Sequence, residues 1–189
     1  AGVKIDAKPE EFPLVTAAQR GGDGDVLGTP WDPGSPVDLP SVVGDPIESV
    51  VLKRGSLRRM DPTRGVPGAL LRTSMAAAMR GIDVPHRVVV HDVDGLAPGV
   101  YRWPELSAPV RPGAMRGELH LLCLEQGLAR DAAFIVVGAT EIGALDDRAY
   151  REAQLAAGLV EGRLHLLAYA LGAGASGMTF IDEGVPGSL

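Results

Sequence analysis

Lys53-Arg54-Gly55-Ser56-Leu57-Arg58-Arg59-Met60-Asp61-Pro62 gathers five cationic or hydroxyl side chains in a chain whose net charge is -6. In an extended segment Arg54, Ser56 and Arg58 alternate and so point the same way. Two guanidiniums and a hydroxyl on one side have the chemistry to chelate a phosphate, with arginine supplying the fork geometry. The competing reading is a solvated basic loop, and spacing alone leaves both open.

The other reactive residue types are scattered. Cys123 is the single cysteine, so no internal disulfide forms, and a reducing cytoplasm is the simplest compartment. It lies in the apolar run Leu119-His120-Leu121-Leu122-Cys123-Leu124, which reads as core and not as the electropositive, accessible setting of a nucleophile. His86 and His91 stand five apart about a strand, and His120 and His165 fall in apolar helices, so no metal-ligand spacing arises. Asp146-Asp147 and Asp182-Glu183 read as caps or solvated turns. Gly172 and Gly174 follow no strand and open no helix, so they are not a dinucleotide fingerprint. No catalytic protein residue and no metal site is expected.

The elements that must position the basic loop come next. Residues 1–44 hold few periodic segments and read as an extended arm or linker, with turn chemistry at 21–25 and around Trp31. Asp45-Pro46-Ile47-Glu48 has capping-box spacing and predicts a helix start. Val66-Pro67 opens a second helix through Leu70, Leu71 and Met75. Arg87–Val93 predicts a strand, and Gly99–Trp103 its antiparallel return. Residues 116–126 predict a helix. Ala133–Ala139 is almost continuously apolar and predicts a central strand buried on both faces. Apolar residues at three- and four-residue spacing predict a long helix from Asp147 to Leu171, and Met178–Ile181 a last short strand. The order is α+β, not a regular alternating α/β one.

The length of 189 residues suffices for one domain with a core. The negative charge argues against a general nucleic-acid binder, and no run of about 18 apolar residues predicts a membrane span. The chain begins without Met and reads as an excerpt of a longer protein, incomplete at the C-terminal end of a domain spanning 45–189.

Arg54-Gly55-Ser56-Leu57-Arg58 resembles the Arg-x-Ser-x-Arg motif of the flavin-binding nitroreductase family. Val93-Asp94-Gly95-Leu96-Ala97-Pro98-Gly99-Val100-Tyr101 resembles the hairpin common in its SagB-type dehydrogenase branch. Phe134–Thr140 with Tyr150-Arg151, and Gly158 through Gly174, resemble the family's strand, core helix and glycine exit. The resemblance covers residues 46–182. It implies a nitroreductase-like α+β fold with a mixed or antiparallel sheet and a long core helix. It implies FMN at the interface of a dimer or pseudo-dimer, with hydride transfer through flavin N5 and NAD(P)H as electron donor. By position, Arg54, Ser56 and Arg58 would meet the FMN phosphate and ribityl chain, and Thr179 and Phe180 the flavin ring edge. The substrate would be a small molecule or a peptide.

The chain also departs from the family. It lacks the Pro-Ser-Ala-Gly-like segment before the hairpin, and it carries Gly162-Arg163 where the branch often has Gln-Asn. These departures keep a second reading open, a non-catalytic, degenerate half of a larger protein that is structural or sequesters flavin.

Overall fold

Alternation of β-branched residues sets the middle of the fold. In the computed structural model, which describes residues 10–21, 30–38 and 45–189, four strands form one sheet in the order β3-β2-β1-β4. These are β1 (His86–Val90), β2 (Gly99–Arg102), β3 (Arg111–Pro112) and β4 (Phe134–Gly138). Every pairing is antiparallel. Val89 stands opposite Val100 and Ile135, and Val88 opposite Tyr101 and Val136, so successive residues serve opposite faces.

Both faces are covered. Val88, Val90 and Tyr101 pack with Leu71 and Met75 of helix α3 (Gly68–Met79), and Leu164 of helix α6 (Asp147–Ala170) joins them. On the other face, Val89 and Val100 pack with Leu119 and Leu122 of helix α4 (Arg116–Leu122), Cys123, and Ala129 of helix α5 (Gly127–Asp131). Tyr101 is 2% exposed, and its hydroxyl donates to the Ala97 carbonyl at 2.7 Å, so the buried polar tip is satisfied. Helix α2 (Ile47–Lys53) lies against α6. A four-residue helix α7 (Val185–Ser188) follows a 3-10 turn.

α6 begins and ends on specific chemistry. Asp146 accepts the Ala149 N–H at 2.7 Å as its N-cap. At the other end Gly172 takes φ +76, Ala173 N–H reaches the Ala168 carbonyl, and Gly172 N–H reaches that of Tyr169. That pair of bonds is a Schellman stop, and its left-handed position suits glycine.

Five expectations need correction. Ala133–Ala139 does not lie centrally: β4 pairs only with β1, at the end of the sheet. Its apolar run reports two covered faces, since Phe134 and Val136 face α3 while Ile135 faces α4. Met178–Ile181 forms no strand; it is extended and held by one bond, Ile181 N–H to the Leu122 carbonyl. The helix expected over 116–126 stops at Leu122, where Leu124 and Glu125 both turn to φ 57 and redirect the chain into α5. Asp45 caps nothing; its carboxylate pairs with Lys53 one face along α2, leaving Pro46 as an N-cap without a side-chain bond.

The fifth correction concerns the arm. The chain divides into two units, Ala1–Asp32 and Pro33–Leu189. The first contains helix α1 (Pro13–Gly21), in a stretch read as an extended arm or linker with few periodic segments. Leu14 and Val15 of this helix are exposed. The turn chemistry expected over 22–25 lies outside the described residues.

Among the described residues no helix is long and apolar enough to cross a membrane. No group of three or more His, Cys, Asp or Glu among them is placed to hold a metal.

Candidate functional site

Arg54 is the C-cap of α2, its N–H bonded to the Val50 carbonyl, and the basic loop leaves from there. The loop runs alongside the exit of α6. Leu57 N–H donates to the Ala175 carbonyl at 3.1 Å. The His165 ring on α6 uses Nε2 to reach the Gly55 carbonyl at 2.7 Å, which fixes the proton on Nε2. Leu57 fills the space beside Gly174, where a Cβ would come within 2.4 Å of its Cδ1. A side chain at 174 would have to displace Leu57.

The lacing sets which side chains of the loop face the protein, but it does not bring Arg54 and Arg58 to one cleft as the alternation implied. Leu57 turns inward, while Arg54, Ser56 and Arg58 are exposed. Ser56 Oγ stands 2.8 Å from Ser176 Oγ, so two hydroxyls from distant parts of the chain sit side by side. Ser176 carries little signal in the sequence beyond a hydroxyl two residues past Gly174.

The two arginines do not share a cleft. Arg54 lines one of about 610 Å³ between α2 and α6, with Val51, Gly158, Glu161, Arg163 and His165. Arg58 lines another of about 510 Å³ with Arg59, Gln126, Arg130 and Asp131. Ser56 lies in the loop between them. Arg163 is already engaged: its guanidinium donates to the Ala78 and Arg80 carbonyls at 2.9 and 2.7 Å, closing the C-terminal end of α3. Thr179 and Phe180 are exposed on the extended segment beyond Ser176, and they line neither of these clefts.

Electrostatics around the loop are local. Asp61 accepts from the Thr63 hydroxyl at 2.6 Å and from its N–H at 3.0 Å, and these bonds hold its carboxyl below the usual range. Asp131 is likewise held low by a two-point bond from Arg130 at 2.7 and 3.0 Å. Cys123 is buried, and burial pushes its thiol up, away from nucleophile chemistry. His86 and His91 are buried as well, and desolvation lowers both.

Hydroxyls and guanidiniums are the donor types that hold a phosphate such as that of FMN; here Ser56 and Ser176 stand together, while Arg54 and Arg58 line separate clefts. Helices on both faces of an antiparallel sheet, with a long helix stopping at a glycine, find a counterpart among solved structures. A protein of Anabaena variabilis assigned to the nitroreductases superposes with a TM-score of 0.66 at 28% identity, over 75% of this chain. The fold is nitroreductase-like. The chain spans about a third of that relative, 34% of its length. No family model and no curated protein sequence matches the chain. Within the nitroreductase-like fold, the basic loop and the glycine exit come from segments more than a hundred residues apart, and only the fold joins them.

Proposed function

We propose that this chain is an FMN-dependent oxidoreductase of the nitroreductase kind, from its SagB-type dehydrogenase branch, working as a dimer or a pseudo-dimer. The observation that carries the reading is the Ser56–Ser176 hydroxyl pair, held at 2.8 Å by a loop laced to the α6 exit, with Arg54 and Arg58 on either side of Ser56 in the sequence. Arg54 and Ser56 hold the phosphate, and Arg58 meets the ribityl side. Thr179 and Phe180 border the ring edge, where backbone N–H groups steady developing negative charge. Bound FMN supplies reversible two-electron chemistry, for which no protein nucleophile is required. NAD(P)H is the donor, and the substrate is a small molecule or a peptide. The cytoplasm suits the lone thiol.

The association rests on the outer face of α2 and α6. Ile47, Val51 and Leu155 are 58, 47 and 56% exposed, and a Cβ at Gly158 or Gly162 would meet nothing within 4 Å. An apolar, small-residue face of this kind suits close approach of a second helix pair.

The test is the absorbance spectrum of the purified chain, before and after addition of FMN. Retained or acquired flavin that NAD(P)H bleaches supports the reading. A colourless chain that takes up no FMN overturns it. One observation favours a second reading, a degenerate half that binds flavin weakly or not at all. Arg163, where the branch often has Gln-Asn, spends its guanidinium on the carbonyls of α3.

A further inference from the structure

Glu161 stands on α6, and its side chain runs to the segment that leaves that helix. Its Oε1 lies against Gly177, where a Cβ would run into the carboxylate. Gly177 directly follows Ser176, whose hydroxyl stands 2.8 Å from that of Ser56 and reaches the Gly177 carbonyl at 3.2 Å. Glu161 also lines the cleft between α2 and α6, together with Arg54. One carboxylate is thus placed both against the residue beside the serine pair and in the cleft of Arg54. No cation is paired with it: among the described residues Glu161 makes no ion pair. Arg163 lines the same cleft but gives its guanidinium to the Ala78 and Arg80 carbonyls.

We propose that Glu161 is a specificity-determining residue of the Ser56–Ser176 site, one that weakens the hold of Arg54 on a phosphate and leaves a flavin without phosphate untouched. This rests on the reading that FMN binds there. A phosphomonoester carries close to two negative charges at neutral pH. A like charge in the same cleft repels it through space, without touching it. Riboflavin ends in a hydroxyl where FMN has its phosphate, and a carboxylate accepts from a hydroxyl. The chain therefore discriminates less between FMN and riboflavin than a purely cationic pocket would. Gly177 is the second part of the device. It leaves room for the carboxylate, and a side chain there would push Glu161 off the exit segment.

The experiment is a set of titrations of the full chain and of Glu161→Gln with FMN, riboflavin and inorganic phosphate. Glu161 is exposed and glutamine keeps its shape, so the fold is retained, and equal melting temperatures check this. The expected result is FMN binding tighter by about three- to tenfold in Glu161→Gln, with riboflavin affinity unchanged. The gain should shrink as ionic strength rises, because salt screens the repulsion. Gly177→Ala moves the carboxylate without removing it, and should tighten FMN by less. FMN affinity equal or lower in Glu161→Gln overturns the proposal. Riboflavin gaining by the same factor as FMN overturns the charge role. A gain in Gly177→Ala as large as in Glu161→Gln assigns the effect to the exit backbone and also overturns it. If neither protein takes up either flavin, the proposed function fails, and the phosphate titration decides Glu161 by itself. Tighter phosphate binding in Glu161→Gln then sustains its role, and equal or absent binding in both proteins overturns it.

Discussion

Arg54 stands exposed at the end of α2, two residues before Ser56, and lines a different cleft from Arg58. If it holds the FMN phosphate, Arg54→Ala removes a charge-assisted bond of about 1.5–3 kcal/mol, or roughly tenfold to hundredfold in FMN affinity. Fluorescence titration with FMN measures this, and an unchanged affinity returns Arg54 to a solvated surface. His86 and His91 act at the same scale through burial. Both native pKa values lie below the ordinary 6.5, with desolvation the largest cause. The unfolded chain takes up these protons near 6.5, and the native chain only at lower pH. The stability they carry is therefore whole above about 6.5 and drains as pH falls below it. Asp61 and Asp131 are depressed carboxylates and titrate at lower pH, outside that window. Urea midpoints should drop between about pH 7 and pH 5, and His91→Gln should flatten the slope. Equal slopes in the two proteins would remove His91 from the account.

Among the elements, α6 has the most roles. Its first turn is capped by Asp146, its middle closes the end of α3 through Arg163, and its last turns carry His165 and the glycine stop. Two carbonyls at a helix C-terminus held by one half-buried guanidinium form a strong tie. Arg163→Ala should cost about 2–4 kcal/mol in thermal or urea unfolding. Arg163→Lys should recover part of this, because an ammonium keeps the charge and can donate to both carbonyls from one nitrogen, as Nη1 does, but on a shorter side chain. A melting temperature equal to wild type in Arg163→Ala would show that water replaces the side chain at no cost.

For the whole molecule, the open question is what meets the outer face of α2 and α6. Gly158 lies on that face with free space beyond its Cα. A glutamate there suits the helix better than glycine and places a charge in an apolar contact. Gly158→Glu should leave the monomer at least as stable, while light scattering shifts from dimer to monomer. A wild-type chain that is already a monodisperse monomer at high concentration would remove the dimer reading. The sheet bears on the same question, since β4 ends it and keeps its residues only half-buried along most of the strand.

The sequence by itself determined the elements whose causes are local. The period of α6, its Asp146 start and Gly172 stop, the β1–β2 hairpin and the Val66-Pro67 opening of α3 all follow from side-chain spacing, capping and turn chemistry. The core setting of Cys123 was legible for the same reason. The tertiary structure decided whatever depends on a distant neighbour. β4 looked central because its run is apolar, but apolarity reports covered faces, and strand position depends on which edge pairs. Asp45 had the spacing of a cap, yet Lys53 offered its carboxylate a nearby charge. Ser176 joined Ser56 across 120 residues of sequence, and Arg54 and Arg58 came to line different clefts. Strand pairing, a charge pair and hydrogen bonds between distant segments set these outcomes, and none is encoded in the local pattern of either segment.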